Sequence, residues 1–178
     1  MNDSTALAGK HALITGGGHG IGGASAEALA AHGVKLTLTG RNMEKLEQMA
    51  ASLPGAEARQ LDVSDEDAVK RVFADAAESL GPVNILVNNS GIADTAPFLR
   101  TSSDMMRRLM EVNLIGTHTC TQQVLPAMID AGWGRVVNIS SLAGLTGQPY
   151  IAAYCASKHA VIGLTRTLAL EMVKKGIT

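Results

Sequence analysis

Short apolar runs alternate along the chain with longer stretches of helical periodicity. Residues 11–15 form a compact β-leaning run closed by glycines, and the Ala-rich residues 24–31 read as a helix. Residues 34–39 alternate toward a second strand, 43–53 read helical, and 58–63 give a third strand whose end carries Asp62. Ser64 is expected to cap the next helix, with Asp67 in its first turn, and Gly81-Pro82 stops that helix near Leu80. The continuous apolar run 83–87 is of buried-strand type. Residues 102–131 carry helical periodicity with a break expected near Pro126, residues 135–139 give a fifth strand, and a last helix runs from about Ala152 to Lys175.

Strands alternating with helices pair in parallel through right-handed crossovers. The pattern therefore predicts an α/β fold, a Rossmann-like doubly wound parallel sheet flanked by helices, with ligands at the C-terminal edge of the strands. No linker, repeat or low-complexity segment divides residues 1–178, so a single dinucleotide-binding and catalytic domain is expected. Gly176-Ile177-Thr178 read as the start of a sixth strand, so the chain is expected to be truncated, with the C-terminal part of the fold missing.

Composition narrows the partners. With 46% hydrophobic and 17% charged residues, the 178-residue chain has material for a buried core, which argues against disorder. A net charge of -1 without any basic run gives nothing to neutralise a phosphate backbone, so nucleic acid is not an expected partner. The first ten residues lack a signal-peptide pattern and no apolar run is of membrane-spanning length, so no membrane role is expected. Cys120 and Cys155 have neither metal-ligand nor disulfide-framework spacing, so no metal site is expected and the usage suits a reduced, cytoplasmic protein.

The first strand runs into Thr15-Gly16-Gly17-Gly18-His19-Gly20-Ile21-Gly22. Glycines there permit tight turns and let a pyrophosphate approach main-chain N–H groups at a helix N-terminus, so the segment is a candidate dinucleotide site. Further along stand Asn88-Asn89-Ser90-Gly91 after the fourth strand, Asn113 in a long helix, Ser141 after the fifth strand, and Tyr154-Cys-Ala-Ser-Lys158. Tyr154 and Lys158 are four residues apart, so on a helix they share one face, where a fixed ammonium favours the ionised phenol. Ser141 lies thirteen positions before Tyr154, close enough to bring its hydroxyl to the same edge; neighbouring Ser140 is not the expected site residue.

In this order and spacing, the segments resemble those of the short-chain dehydrogenase/reductase family over essentially the whole chain. One departure is Ser90 where the family has Ala. The resemblance implies that Ser141 steadies the substrate oxygen, Tyr154 is the acid/base, Lys158 also holds the nicotinamide ribose, and Asn113 links Lys158 to solvent through a water held by its helix backbone. It further implies that Asp62 accepts from the adenine amino group with Val63 adding a backbone contact, and that Asn89 and Gly91 shape the cofactor edge. Singly, each residue has an ordinary alternative: a half-buried aromatic, a solvated lysine, a cap, a helix amide, a helix-preceding Asp.

No acid ends the second strand; Arg41 stands there, where a guanidinium suits a 2'-phosphate. NADP(H) is therefore the expected cofactor, with NAD(H) the alternative if Arg41 is only a solvated loop charge; His19 in the glycine-rich turn does not bear on that choice. Residues 142–150 should line the substrate cavity, and Gly132-Trp133-Gly134-Arg135 and Ala156-Ser157-Lys158-His159 resemble acyl-chain and polyketide ketoreductases. The expected activity is hydride transfer between NADP(H) and a carbonyl or alcohol, a 3-oxoacyl thioester among the candidates. The alternatives are an NAD-dependent alcohol or 3-hydroxyacyl dehydrogenase and a catalytically silent nucleotide-binding scaffold. The resemblance also implies a homodimer or homotetramer.

Overall fold

The computed structural model describes residues 7–178. Five strands, β1 (His11–Thr15), β2 (Lys35–Gly40), β3 (Ala56–Gln60), β4 (Val83–Asn88) and β5 (Arg135–Asn138), form one sheet in the order β3-β2-β1-β4-β5. Every pairing is parallel. Helices α1 (Gly20–Ala30), α2 (Met43–Ala51), α3 (Glu66–Leu80), α4 (Ser103–Met110), α5 (Gly116–Ala131) and α6 (Ala152–Met172) cover it. The fold class is the Rossmann-like one that the alternation predicts.

Period-two alternation places successive strand residues on opposite faces. Ala12, Ile14, Leu36 and Leu38 pack with Leu46 of α2, while Leu13 and Leu86 pack with Phe73 of α3 and with Val124 and Met128 of α5. Both faces are dry, which is why β1 reads as continuously apolar, and each fully buried Leu or Ile contributes about 1.5–3 kcal/mol. Because the strand order changes direction between β1 and β4, their C-terminal ends open a crevice.

Three local expectations change. The third strand ends at Gln60, so Asp62 lies in the following loop. The cap of α3 is Asp65, whose carboxylate accepts from the Ala68 N–H at 2.9 Å, while the hydroxyl and N–H of Ser64 donate to Asp62. Pro126 lies within an unbroken α5, flanked by fully buried Val124 and Met128 whose packing outweighs one lost helical bond. The irregularity falls instead at Glu111–Ile115, a π-helical turn between α4 and α5.

Ile177 pairs in parallel with Gly134 as an isolated bridge, and Thr178 exchanges backbone hydrogen bonds with Gly134 and Val136. No helix among the described residues is long and apolar enough to cross a membrane.

A polar network closes the opposite, N-terminal edge of the sheet. His11 Nδ1 lies 2.7 Å from the Gly81 carbonyl and must donate there, because a carbonyl only accepts. His11 Nε2 lies 3.0 Å from the Thr37 hydroxyl, which also lies 2.8 Å from Glu57. Thr37 has one proton, so with His11 neutral it must choose between the two. Desolvation lowers the His11 pKa from 6.5, against opposing contributions from the Gly81 carbonyl and Glu57. Hydrogen bonds from Arg59, Ser79 and Thr37 outweigh desolvation and hold the Glu57 carboxyl below its ordinary range.

The folded imidazole thus binds its proton at lower pH than the unfolded one. Below about pH 6.5 the unfolded chain holds more protons, and stability falls as pH falls. Denaturant titrations at pH 7, 6 and 5 should show this loss, and His11→Leu should flatten it while costing about 1–3 kcal/mol at pH 7 by orphaning the Gly81 carbonyl. An unchanged slope in the variant would assign the acid sensitivity to other groups.

Candidate active site

The crevice is a cleft of about 380 Å³ floored by the glycine-rich turn. Gly16 leaves β1 at φ 66° and Gly20 opens α1 at φ 58°, both in the left-handed region that favours glycine. His19, the residue before α1, is extended and supplies no side-chain cap, so the first N–H groups of α1 have no side-chain partner. Gly18, His19, Gly20 and Ile21 line the cleft there. Free N–H groups at the positive end of a helix dipole, with no Cβ on the intervening glycines, fit a pyrophosphate and hence a dinucleotide.

Thr15 and Gly22, also expected at this site, do not line the cleft; they shape it. The Thr15 hydroxyl accepts from the N–H groups of Asn89 (3.0 Å) and Ser90 (2.9 Å), and the Asn89 amide donates back to the carbonyls of Thr15 (3.1 Å) and Gly16 (3.0 Å). Gly22 presses against this stitch: a Cβ there would overlap the Gly16 carbonyl and lie 2.6 Å from Asn89 Nδ2. Asn89 and Gly91 line the cleft.

At the far end the cleft is bounded by Arg41, Asp62 and Val63, the three residues expected near the adenosine. The Ser64 hydroxyl, at 2.7 Å, holds the Asp62 carboxyl below its ordinary range; the Ser64 N–H and Arg41 act in the same direction against desolvation. Asn42 and Lys45 also line this end and were missed in the sequence. Asn42 caps α2 by accepting from the Lys45 N–H at 3.0 Å, and α2 packs so closely on the turn that a Cβ on Gly18 would lie 3.3 Å from Lys45. The signal was available: an Asn directly before a helical pattern puts the third helical residue, Lys45, in the first turn beside Arg41.

Tyr154 and Lys158 of α6, expected at both the cofactor and the reacting carbonyl, do not line the cleft, and neither do Asn113 and Ser141. Lys158 is only 5% exposed, donates to the Ile139 carbonyl at 2.8 Å, and lies 5.8 Å from the centre of the Tyr154 ring. No carboxylate pairs with it among the described residues, and desolvation lowers its pKa from 10.5. A Cβ on Gly91, in the cleft wall, would lie 3.5 Å from Lys158 Nζ and 3.2 Å from Asn113 Oδ1, so the three groups meet there. Asn113, in the π-helical turn, is fully buried. Its amide brackets Ile92, accepting from the N–H at 2.8 Å and donating to the carbonyl at 2.9 Å, and also donates to Ser157, whose hydroxyl donates to the Tyr154 carbonyl. The Asn113 carbonyl accepts from Thr117.

Ser141 caps a single 3-10 turn, Leu142–Gly144, by accepting from the Ala143 N–H at 3.1 Å. Its own proton has no protein acceptor among the described residues, so the hydroxyl is free to donate. Ser140 is tied to the Lys158 carbonyl at 3.1 Å, a bond within the scaffold.

The close approach of α1 to the Gly16 turn gives a direct check. Gly22→Ala forces backbone against backbone and should cost about 1–3 kcal/mol of stability, with a parallel loss of dinucleotide binding. Thermal melts and calorimetric titration with NADPH measure both, and a variant as stable and as well binding as wild type would contradict the geometry.

Comparison with known proteins agrees. Residues 10–178 match the family model described as short chain dehydrogenase. A 2-dehydro-3-deoxy-L-rhamnonate dehydrogenase (NAD(+)) of Sphingomonas sp. (strain SKA58) is 38% identical over 96% of this chain and 69% of its own length. A 3-oxoacyl-(acyl-carrier-protein) reductase of Aquifex aeolicus (strain VF5) is 35% identical over 96% of this chain and 71% of its own. Among solved structures, a short-chain dehydrogenase from Streptomyces avermitilis superposes with a TM-score of 0.91 at 38% identity, over 95% of this chain. The chain spans 63% of that protein, less than two thirds of its length. With the parallel sheet, the glycine-rich turn and a match from Lys10 to its last residue, the chain belongs to the short-chain dehydrogenase family.

Proposed function

We propose that this chain carries the cofactor-binding and catalytic parts of an NADP(H)-dependent oxidoreductase that reduces a ketone to an alcohol. The observation that carries this reading is the buried Lys158, with no carboxylate partner among the described residues, beside the Tyr154 ring and against Gly91, a residue of the wall of the dinucleotide cleft. The cofactor, when bound, supplies the hydride. Ser141 donates its free proton to the substrate oxygen and fixes it, and Tyr154 delivers the proton that completes the alcohol. Lys158, held by the Ile139 carbonyl, keeps a positive charge on that face of α6. Asn113 holds the π-helical turn against Ile92 and α6, and proton resupply past its backbone belongs to the same reading. In the reverse direction the same groups take the proton away.

NADP(H) is supported by Arg41 and Lys45, two cations at the adenosine end with no acid at the end of β2. The NAD(+)-linked dehydrogenase among the relatives favours a second reading, oxidation of an alcohol with NAD. The reductase of 3-oxoacyl chains among the relatives supports an acyl ketone, carried as a thioester, as substrate. Cys120 and Cys155, both free and buried, support a cytoplasmic location. Apolar Ile115, Leu170 and Val173, exposed on α6 and its surroundings, support assembly as a homodimer or homotetramer.

Two experiments test the proposal. Tyr154→Phe should lower kcat/KM for ketone reduction at least about a hundredfold while the NADPH Kd stays within about threefold. Activity unchanged in Tyr154→Phe would refute the assignment. Arg41→Asp should lower the ratio of kcat/KM with NADPH to that with NADH by about ten- to a hundredfold, and no change would leave NAD as the better reading.

A further inference from the structure

Arg41 follows the end of β2, and the connection from there to α2 is held carbonyl by carbonyl. The Thr39 carbonyl accepts from the Gly17 N–H at 3.0 Å, the Gly40 carbonyl from the Leu61 N–H at 2.8 Å, and the Asn42 carbonyl from the Leu46 N–H at 3.3 Å. These three partners are main-chain groups, which do not depend on which side chains the partner residues carry. The Arg41 carbonyl is the exception: it accepts from the Gln60 side chain, 3.1 Å from Nε2. A carbonyl only accepts, so the Gln60 amide must present its nitrogen there.

Gln60 ends β3 and stands opposite Gly40 in the last register position of the two strands. Its amide ties in the residue just past that pair, and the consequence falls on Arg41. The peptide before the Arg41 Cα is held through the Gly40 carbonyl and the peptide after it through the Arg41 carbonyl. Two held planes set the direction in which the Cβ leaves. Arg41 makes no ion pair among the described residues, so the aim of its guanidinium depends on where its backbone is held. Arg41 lines the cleft, whereas Gln60 is exposed and does not.

The geometry points to Gln60 as a positioning residue for cofactor selection, which holds the Arg41 backbone so that the guanidinium meets the 2'-phosphate of NADP(H). This rests on the NADP(H) reading above and adds a residue outside the cleft on which the preference depends. A tie that served only to hold β2 to β3 would act on both nicotinamide cofactors alike. Acting through Arg41, Gln60 affects only the phosphorylated one.

The test measures Kd for NADPH and for NADH by calorimetric titration of wild type, Gln60→Met, Gln60→Thr, Arg41→Ala and the double variant Gln60→Met/Arg41→Ala. Met keeps the length of Gln without a donor, and Thr keeps a strand-forming residue without the reach. Both Gln60 variants should melt close to wild type, since the side chain is exposed. The ratio of the NADH Kd to the NADPH Kd should fall about three- to tenfold in each, through weaker NADPH binding, with the NADH Kd within about twofold of wild type. Arg41→Ala should lower the ratio at least about tenfold, and adding Gln60→Met to it should change the ratio by less than about twofold, because no guanidinium is left to aim. A ratio unchanged in both Gln60 variants while Arg41→Ala lowers it overturns the Gln60 assignment alone. Equal weakening of both cofactors overturns it too, as does a further fall in the double variant. A ratio unchanged in Arg41→Ala sinks the Arg41 basis of the NADP(H) reading itself, and the Gln60 assignment with it.

Discussion

Four hydrogen bonds, three to Thr15 and one to the Gly16 carbonyl, tie the Asn89-Ser90 segment to the end of β1 and hold together the C-terminal ends of β1 and β4, where the sheet changes its direction of winding. Chain leaving β1 turns into a helix on one face, and chain leaving β4 runs toward the other. Without a tie the two exits would separate, and the carbonyls of Thr15 and Gly16 would lose their partners. With it, the glycine-rich turn is fixed against β4 and α1 begins directly above it. Glycine at position 22 follows from this closeness rather than from any contact with ligand, because the space a Cβ would need is already filled by the Gly16 carbonyl and the Asn89 amide.

The near wall depends on a second clamp. A π-helical turn lets one residue of a long helix depart from regular spacing, and Asn113 uses that freedom to bind Ile92 through both ends of its amide. Its remaining proton reaches Ser157, so the loop after β4, the turn before α5 and the first turns of α6 are held by one side chain. That rigidity keeps Gly91 against the Lys158 ammonium. Asn113 therefore matters first as a buried bracket, through its amide, whereas the family resemblance draws attention to its backbone.

Patterns that repeat along a segment were readable from the sequence, and single contacts between segments were not. The strands and helices follow from periodicity, because burial on one or two faces is what produces the period. Tyr154 and Lys158 were legible for a similar reason: a spacing of four on a helix is already a spatial statement. Ser64 and Asp65 are both good capping residues, and only the fold decides that Asp65 closes α3 while Ser64 turns to Asp62. Pro126 looked like the place for a break because proline is costly in isolation, yet buried neighbours carried the helix through. The real irregularity at Asn113 has no local marker, since its cause is Ile92, twenty-one residues away. For Lys45 the Asn42 cap marks the first turn of α2, but only the packing of α2 onto Gly18 brings that turn to the cleft.

The cleft and the Lys158 surroundings behind its Gly91 wall treat charge in opposite ways. At the Arg41 end of the cleft Asp62 lies within the field of Arg41, with Ser64 hydrogen bonds holding the carboxylate charged, so charges of both signs sit in partly solvated loops. Behind the Gly91 wall Lys158 is buried with no carboxylate partner among the described residues, and its position is set by the neutral carbonyl of Ile139. An acidic partner would ease the desolvation of the ammonium, but it would also cancel most of the positive field at the Tyr154 ring 5.8 Å away. A carbonyl dipole orients the lysine and leaves that field largely intact. The cost is visible in the Lys158 pKa, lowered by desolvation, and it is borne by the packing of the surrounding core. Among the described residues, the absence of an acid beside Lys158 thus shapes its surroundings as much as the groups that are there.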